Sequence, residues 1–208
     1  LVIEGQNSIT LENTNVEGNM SDDKGSSSDT NVHNVMIYQS MSGDAEVGKS
    51  TFNMTKGTLT NNGDLIYVTN TTSDIALENV NIVNNDSDGR LLAVLGNDAS
   101  HGWGTAGSNG GNVTFTAKDQ KLDGKIEVDT ISTLKLTLSG STEFNGTVNI
   151  IDNAENGTAV DNNAEVIVEE GATWNLTGDV KISKLNNKGK INFNGYKITL
   201  TDGTVVSE

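Results

Sequence analysis

The chain has 208 residues, and 13 Lys and Arg against 28 Asp and Glu give it a formal net charge of −15 at pH 7. It contains no Cys, which excludes disulfides, thiolate nucleophiles and Cys-ligated zinc or iron–sulfur sites. Binding to nucleic acid or to anionic membranes is not expected, because phosphates are bound by clustered cations and Arg90 is the single arginine. With no run of about 18 apolar residues, no membrane insertion by this segment is expected either.

Apolar residues alternate with polar ones along most of the chain. The segments 9–11, 52–54 and 134–138 place every second side chain on one apolar face. This period of two is typical of strands, and no helical period is sustained. Asn and Thr together make up a quarter of the chain. Because Thr favours strands while Asn and Gly favour turns with positive φ, the sequence predicts an all-β fold.

Three segments of the chain resemble one another. Residues 8–19 and 74–85 share a Leu-Glu-Asn-x-Asn core 66 residues apart, and residues 51–62 are a weaker copy in which Phe52 matches Ile75. A repeat of roughly 22–30 residues with short strands and Asn/Gly corners is typical of a solenoid. Stacked repeats would share one apolar interior and align their Asn and Thr side chains in ladders. The repeats therefore predict a parallel β-helix.

The chain order also predicts interruptions and leaves one alternative open. Polar or Gly-rich stretches at 19–31, 96–112 and 152–163 are expected to be protruding loops. No composition break resembles a linker, so we expect one domain over residues 1–208. Since the first residue is Leu1 and an uncapped first repeat would leave an open β edge, we expect this domain to be a fragment of a longer surface protein. Several Asn-Gly pairs keep an antiparallel sandwich or barrel open.

Two stretches resemble known bacterial families. Residues 171–179 contain Trp-Asn-x-Thr-Gly, and residues 185–191 contain Leu-x-Asn-x-Gly-x-Ile. Together they resemble the last passenger repeats of autotransporter adhesins. Residues 112–149 are similar to repeats in secreted proteins of the pectin-lyase-like right-handed parallel β-helix type. The resemblance implies an extracellular or cell-surface bacterial protein that acts in adhesion, self-association or biofilm formation. Its implied partners are other copies, a receptor on host or neighbouring cells, or a glycan.

The same resemblance implies an alternative, a polysaccharide lyase or hydrolase that uses clustered Asp, calcium and an Arg or Lys base. Asp86, Asp88 and Arg90 are the best such set here. The favoured interpretation is a corner turn in which Arg90 offsets local charge. The stretch also begins like a calcium loop, but Leu95 replaces the required bidentate Glu, so only weak calcium binding near Asp86 and Asp88 is expected. We therefore assign no catalytic, cofactor or metal residue and expect no enzyme activity.

His101 and Trp103 are the candidate ligand-binding residues. They lie in the Gly-rich stretch, where an aromatic ring is exposed unless the loop folds back. Trp suits sugar stacking and interface anchoring, and the alternative is that Trp103 caps the apolar edge of the fold. Trp174 lies in strand alternation and is expected in the core. His33 is expected at the surface, where a strand begins.

Overall fold

The structure, a computed structural model, describes residues 1–18, 33–85, 89–98 and 101–208. These residues form strands and turns and contain no helix, which confirms the all-β class. Accordingly, no helix in this part of the chain is long and apolar enough to cross a membrane. The loop predicted at 19–31 lies outside the described residues.

Nineteen strands of the described residues form two sheets. The first sheet has, in order, β1 (Val2–Glu4), β3 (His33–Tyr38), β5 (Asp64–Thr69), β8 (Arg90–Val94), β10 (Lys121–Asp129), β12 (Glu143–Ile151), β15 (Val180–Ile182), β18 (Ile198–Leu200) and β19 (Val205–Val206), with β14 (Thr173–Leu176) and β17 (Lys190–Asn192) following β12 on a branch. The second sheet has β16 (Lys184–Asn187), β13 (Ala164–Val168), β11 (Thr133–Ser139), β9 (Asn112–Lys118), β6 (Thr72–Glu78), β4 (Lys49–Asn61) and β2 (Ser8–Glu17), with β7 (Asn81–Asn84) beside β4.

Strand direction decides between the two architectures that the sequence leaves open. Within the described residues, all strand pairs are parallel except the terminal pair of β18 and β19. Successive strands mostly alternate between the two sheets, so each parallel pair is joined through the opposite sheet. The antiparallel sandwich or barrel is therefore wrong. Long parallel sheets of this kind are compatible with the predicted β-helix.

The repeats occupy equivalent positions in neighbouring strands. Phe52 pairs with Ile75, as the 23-residue spacing predicts, and Ile9 pairs with Phe52 from the other side. The alignment gives two apolar columns across the second sheet: Ile9–Phe52–Ile75–Phe115 and Leu11–Met54–Leu77–Ala117. Most of these side chains are buried between the sheets. The period of two thus becomes a continuous core, because every strand turns the same alternate residues inward.

Trp174 is the largest of the fully buried side chains. It lies in β14, stacks on Phe144 of β12 at 5.7 Å between ring centroids, and donates a 3.0 Å hydrogen bond from Nε1 to Gly146 O. The predicted core position of Trp174 is confirmed. Asn145-Gly146 lies inside β12 rather than in a hairpin turn, and Gly146 pairs with Gly124 of β10.

A corner with a left-handed backbone recurs along the second sheet. Asn13, Lys56, Asn79 and Asp119 have φ of 52°, 59°, 55° and 49°. Each follows the same paired position in β2, β4, β6 or β9. Asn and Asp tolerate this region because their short side chains bond locally, whereas Lys carries the steric penalty without that relief. The expectation that Asn collects where φ must be positive is met at two of these four corners, Asn13 and Asn79.

Lys56→Asn is therefore expected to stabilise the protein by about 0.5–1 kcal/mol, since it removes strain at a left-handed position. Urea unfolding compared with the parent chain measures the gain. Lys121→Asn, at an exposed strand position in β10 without a positive φ, is the matched control and should give no gain. Equal effects of both substitutions would contradict the conformational explanation.

Candidate functional site

The loop residues 101–111 bring the two candidate ligand residues against the first sheet. Trp103 packs on Tyr38 of β3 and on His101, with ring centroids 4.5 Å apart in both contacts and interplanar angles of 46° and 44°. Trp103 is half-buried. The loop thus folds back, and its two aromatic residues form one cluster with a tyrosine 65 positions away in the sequence.

Two buried asparagines hold this loop in place. Asn97 and Asn109 donate side-chain hydrogen bonds to Trp103 O at 2.9 and 3.0 Å. Asn97 also donates to Thr69 Oγ1 of β5 at 2.9 Å, and Asn109 donates to Asn97 O at 2.9 Å. Buried amides with several partners fix a loop more firmly than exposed ones, because water cannot replace their bonds. The backbone of Trp103 is therefore anchored to the sheet.

A pocket of about 480 Å³ opens beside the aromatic cluster. Its polar wall includes Glu4 and Asp44, and Tyr38 Oη donates a 3.1 Å hydrogen bond to Glu4 Oε2. The complete lining is Glu4, Tyr38, Ser40, Met41, Ser42, Asp44, His101, Gly102 and Trp103. The lining contains two carboxylates and no Lys or Arg, so it is electronegative. We name it the aromatic–acidic pocket.

The pKa shifts of the lining residues agree with an electronegative pocket. Burial raises the pKa of Tyr38, and the hydrogen bond to Glu4 and the charges of Glu4 and Asp44 raise it further. The pKa of Asp44 is lowered because Ser42 and Ser40 hydrogen-bond to its carboxylate. His101 Nδ1 lies 3.2 Å from Asp98 Oδ1, which places a third carboxylate next to the cluster. Asp44 thus remains ionised at neutral pH.

A second polar cluster surrounds Arg90 on the first sheet. Its guanidinium binds Asp64 through Nε and Nη2, at 3.0 Å and 2.5 Å, and Nη1 lies 3.2 Å from Glu127 Oε2. His33 Nδ1 lies 3.6 Å from Asp64 Oδ2, and the His33 ring stacks on Tyr67. The side chain of His33 is only 8% exposed, so the predicted surface position is wrong. The stacked tyrosine covers it.

Charge within this cluster is strongly fixed. Burial alone would raise the pKa of Asp64, but His33 and Arg90 beside its carboxylate outweigh burial and hold that pKa well below its usual range. Burial would likewise lower the pKa of Arg90, and Asp64 and Glu127 raise it instead. An arginine held in a bidentate ion pair is a stabilising cation and a poor proton acceptor. Arg90 offsets the charges of Asp64 and Glu127 in the neighbouring strands β5 and β10, whereas the corner turn predicted at residues 86–88 lies outside the described residues.

The expected weak calcium site falls on Asp86 and Asp88, which lie outside the described residues. Within the ranges that the structure describes, no group of three or more His, Asp or Glu side chains is arranged to hold a metal ion.

A ladder of three amide side chains that ends on one carboxylate crosses four strands of the first sheet. Asn145 donates to Asp123 Oδ1 at 2.6 Å, and Asn175 donates to Asn145 Oδ1 at 2.7 Å. Asn192 continues the series with a 2.5 Å bond to Asn175 Oδ1. The four residues are paired in register through β10, β12, β14 and β17 and are at least partly exposed. We name them the amide ladder, an arrangement that the Asn content predicts.

No protein-family model matches this chain, and no match is found among curated proteins or solved structures. Its function is therefore inferred from its own residues.

Proposed function

We propose that the chain is a right-handed parallel β-helix of a bacterial surface or secreted protein, and that it mediates adhesion or self-association. Two parallel sheets built from alternating strands, with sequence repeats in register, support the solenoid architecture. The amide ladder is the observation that carries the adhesive role. Such a body presents the same polar groups at regular intervals along its length.

The chemistry of the ladder suits repeated weak binding. An Asn side chain offers two N–H donors and a carbonyl oxygen that can accept two hydrogen bonds. Asn175 uses both donors, on Asn145 Oδ1 and Glu143 Oε1. It accepts one bond from Asn192, so what it leaves for a partner is an acceptor position. The ladder bonds also restrict the side chains before binding, which reduces the entropy lost on association. Each contact is weak, but contacts along a stiff body add through effective concentration. A second copy or a glycan with repeated hydroxyls fits this surface.

Net charge sets the conditions under which copies can associate. At −15, two copies repel each other over about 10 Å at 0.1 M salt and farther at lower ionic strength. The lysines of cross-strand ion pairs such as Lys118–Glu78 and Lys184–Glu165 are already counted in this net charge, so these pairs do not reduce it further. Self-association is therefore expected to strengthen as salt rises.

The proposal is tested by aggregation of beads coated with the protein. Replacing Asn145 and Asn175 with Ser is expected to reduce aggregation roughly tenfold, because about 1.4 kcal/mol of association free energy is lost with the ladder bonds. Aggregation of the parent protein should also rise with added NaCl.

The matched control replaces Asn53 and Asn186 with Ser, two outward-facing positions of the second sheet. Far-ultraviolet circular dichroism and thermal melting establish that both double variants remain folded. Equal loss in the two variants would contradict a role for the amide ladder. Absence of any bead aggregation or glycan and cell binding by the parent protein would overturn the adhesive function itself.

A further inference from the structure

We propose that the aromatic–acidic pocket binds an amino sugar, a saccharide unit that carries a free ammonium group. This inference rests on the adhesive function proposed above and gives it a ligand class. It follows from the combination of aromatic rings, carboxylates and hydroxyls in one cavity.

The aromatic part of the pocket suits a cation. A positive group is attracted to an aromatic face within about 6 Å of the ring centroid, and Trp is the strongest such partner. The centroids of Trp103 and Tyr38 are 4.5 Å apart. One ammonium group beside this pair of rings can therefore lie within about 6 Å of both centroids. The rings also offer apolar area to the C–H groups of a sugar.

The acidic part supplies the opposite charge. Asp44 is held by hydrogen bonds from serines, so its carboxylate is fixed at the pocket. Glu4 uses Oε2 to accept the bond from Tyr38, whereas its Oε1 is shielded from water and has no hydrogen-bond partner within the described residues. A carboxylate in this state is stabilised by a nearby cation, because buried charge is unfavourable unless it is compensated. An ammonium group in the pocket provides that compensation through space, because Oε1 itself is shielded from direct contact.

The rest of the lining selects a sugar over a bare ammonium ion. A volume of about 480 Å³ lies in the range of small-ligand pockets, about 300–1,000 Å³, and far exceeds one ammonium group. Ser40 and Ser42 place hydroxyls next to Asp44, where they can bond to sugar hydroxyls. Met41 is 70% exposed at the pocket wall and extends the apolar surface for a neighbouring unit of the chain.

Titration calorimetry compares three probes of similar length: a glucosamine oligosaccharide, its fully N-acetylated counterpart and a lysine-containing peptide. The glucosamine oligosaccharide should bind at least about tenfold more tightly than the other two, because only it offers both the charge and the hydroxyls. Its affinity should fall as NaCl is raised, since the attraction is electrostatic.

Each other outcome overturns a defined part of the proposal. Equal binding of the N-acetylated probe would contradict recognition of the ammonium group, but it would leave binding of a saccharide in place. Tighter binding of the peptide would contradict the claim that the pocket prefers a saccharide. If none of the probes binds, the pocket is not a site for this ligand, while the bead assay with the amide-ladder variants decides the proposed function separately.

Variants locate the binding. Asp44→Asn keeps the shape of an exposed side chain and should weaken binding of the glucosamine probe roughly tenfold. Trp103→Ala should abolish it, and Trp103→Phe, which retains a ring, should give an intermediate affinity. Tyr196→Ala removes a 40%-exposed aromatic elsewhere on the surface and should have no effect. Unchanged affinity in Asp44→Asn and Trp103→Ala, with both proteins folded, would place the binding outside this pocket.

Discussion

Trp174→Ala is expected to lower the free energy of unfolding by about 3–5 kcal/mol. The indole is fully buried, so its removal leaves a cavity next to Phe144 that the flanking strands cannot close. The substitution also removes the donor to Gly146 O, and a buried carbonyl without its partner is unfavourable by about 1–3 kcal/mol. Urea unfolding followed by circular dichroism measures the change.

Trp174→Phe serves as the control for this prediction. It retains an aromatic ring against Phe144 but loses the indole N–H, so a smaller destabilisation than that of the alanine variant is expected. Trp103→Ala, at a half-buried loop position, should also destabilise less than Trp174→Ala. An alanine variant of Trp174 as stable as the parent chain would contradict its position in the core.

The all-β class and the parallel pairing could be predicted because both depend on local pattern. Period-two alternation fixes which residues face inward, and the 23-residue spacing of Phe52 and Ile75 fixes which residues become neighbours. The same reasoning predicts that asparagines align across strands, as Asn145 and Asn175 do. The sequence pattern and the strand pairing both follow from the requirement that equivalent apolar residues of each repeat face the same core.

At Asn145-Gly146 the local sequence predicts a turn, but the structure has a strand. The dipeptide favours a turn, but it lies inside β12, because the missing Cβ of Gly146 admits the Trp174 hydrogen bond and the adjacent Gly124. A Cβ at Gly146 would lie 1.8 Å from Gly124 O. The two glycines are 22 residues apart, within the repeat length. Aligning residues 121–129 with 143–151 would have indicated a strand position for both.

The contacts of the loops could not be predicted from periodicity. Trp103 meets Tyr38 only because the loop folds back over the first sheet, and no alternation of residues encodes that path. The partner of Arg90 could not be predicted from the sequence for a related reason. Asp64 is 26 residues away, and only the pairing of β5 with β8 brings the two side chains together. Both clusters therefore depend on tertiary structure.

Asp64→Asn is expected to destabilise the protein by about 3–5 kcal/mol at pH 7, because it leaves the guanidinium of Arg90 without its main counter-charge. Asp64 is 6% exposed and the Arg90 side chain 19%, so solvent screens the pair only weakly. The double variant Asp64→Leu/Arg90→Met should recover part of the loss, since it removes the two most buried charges together and leaves only Glu127, whose side chain is 26% exposed, without its partner. Urea unfolding of the three proteins at pH 7 gives the comparison.

The pH dependence of the same pair provides an independent test. The pKa of Asp64 is lower in the folded chain than its ordinary value of 3.8. A depressed carboxyl pKa contributes stability that is complete above the unfolded pKa and is lost as pH falls through the folded one. The parent chain should therefore lose stability steadily below about pH 4, and Asp64→Asn should show a shallower decline over that range. Parallel pH profiles for the two proteins would mean that the Arg90 ion pair contributes nothing to acid sensitivity, and the buried cluster would then have to be stabilised by packing alone.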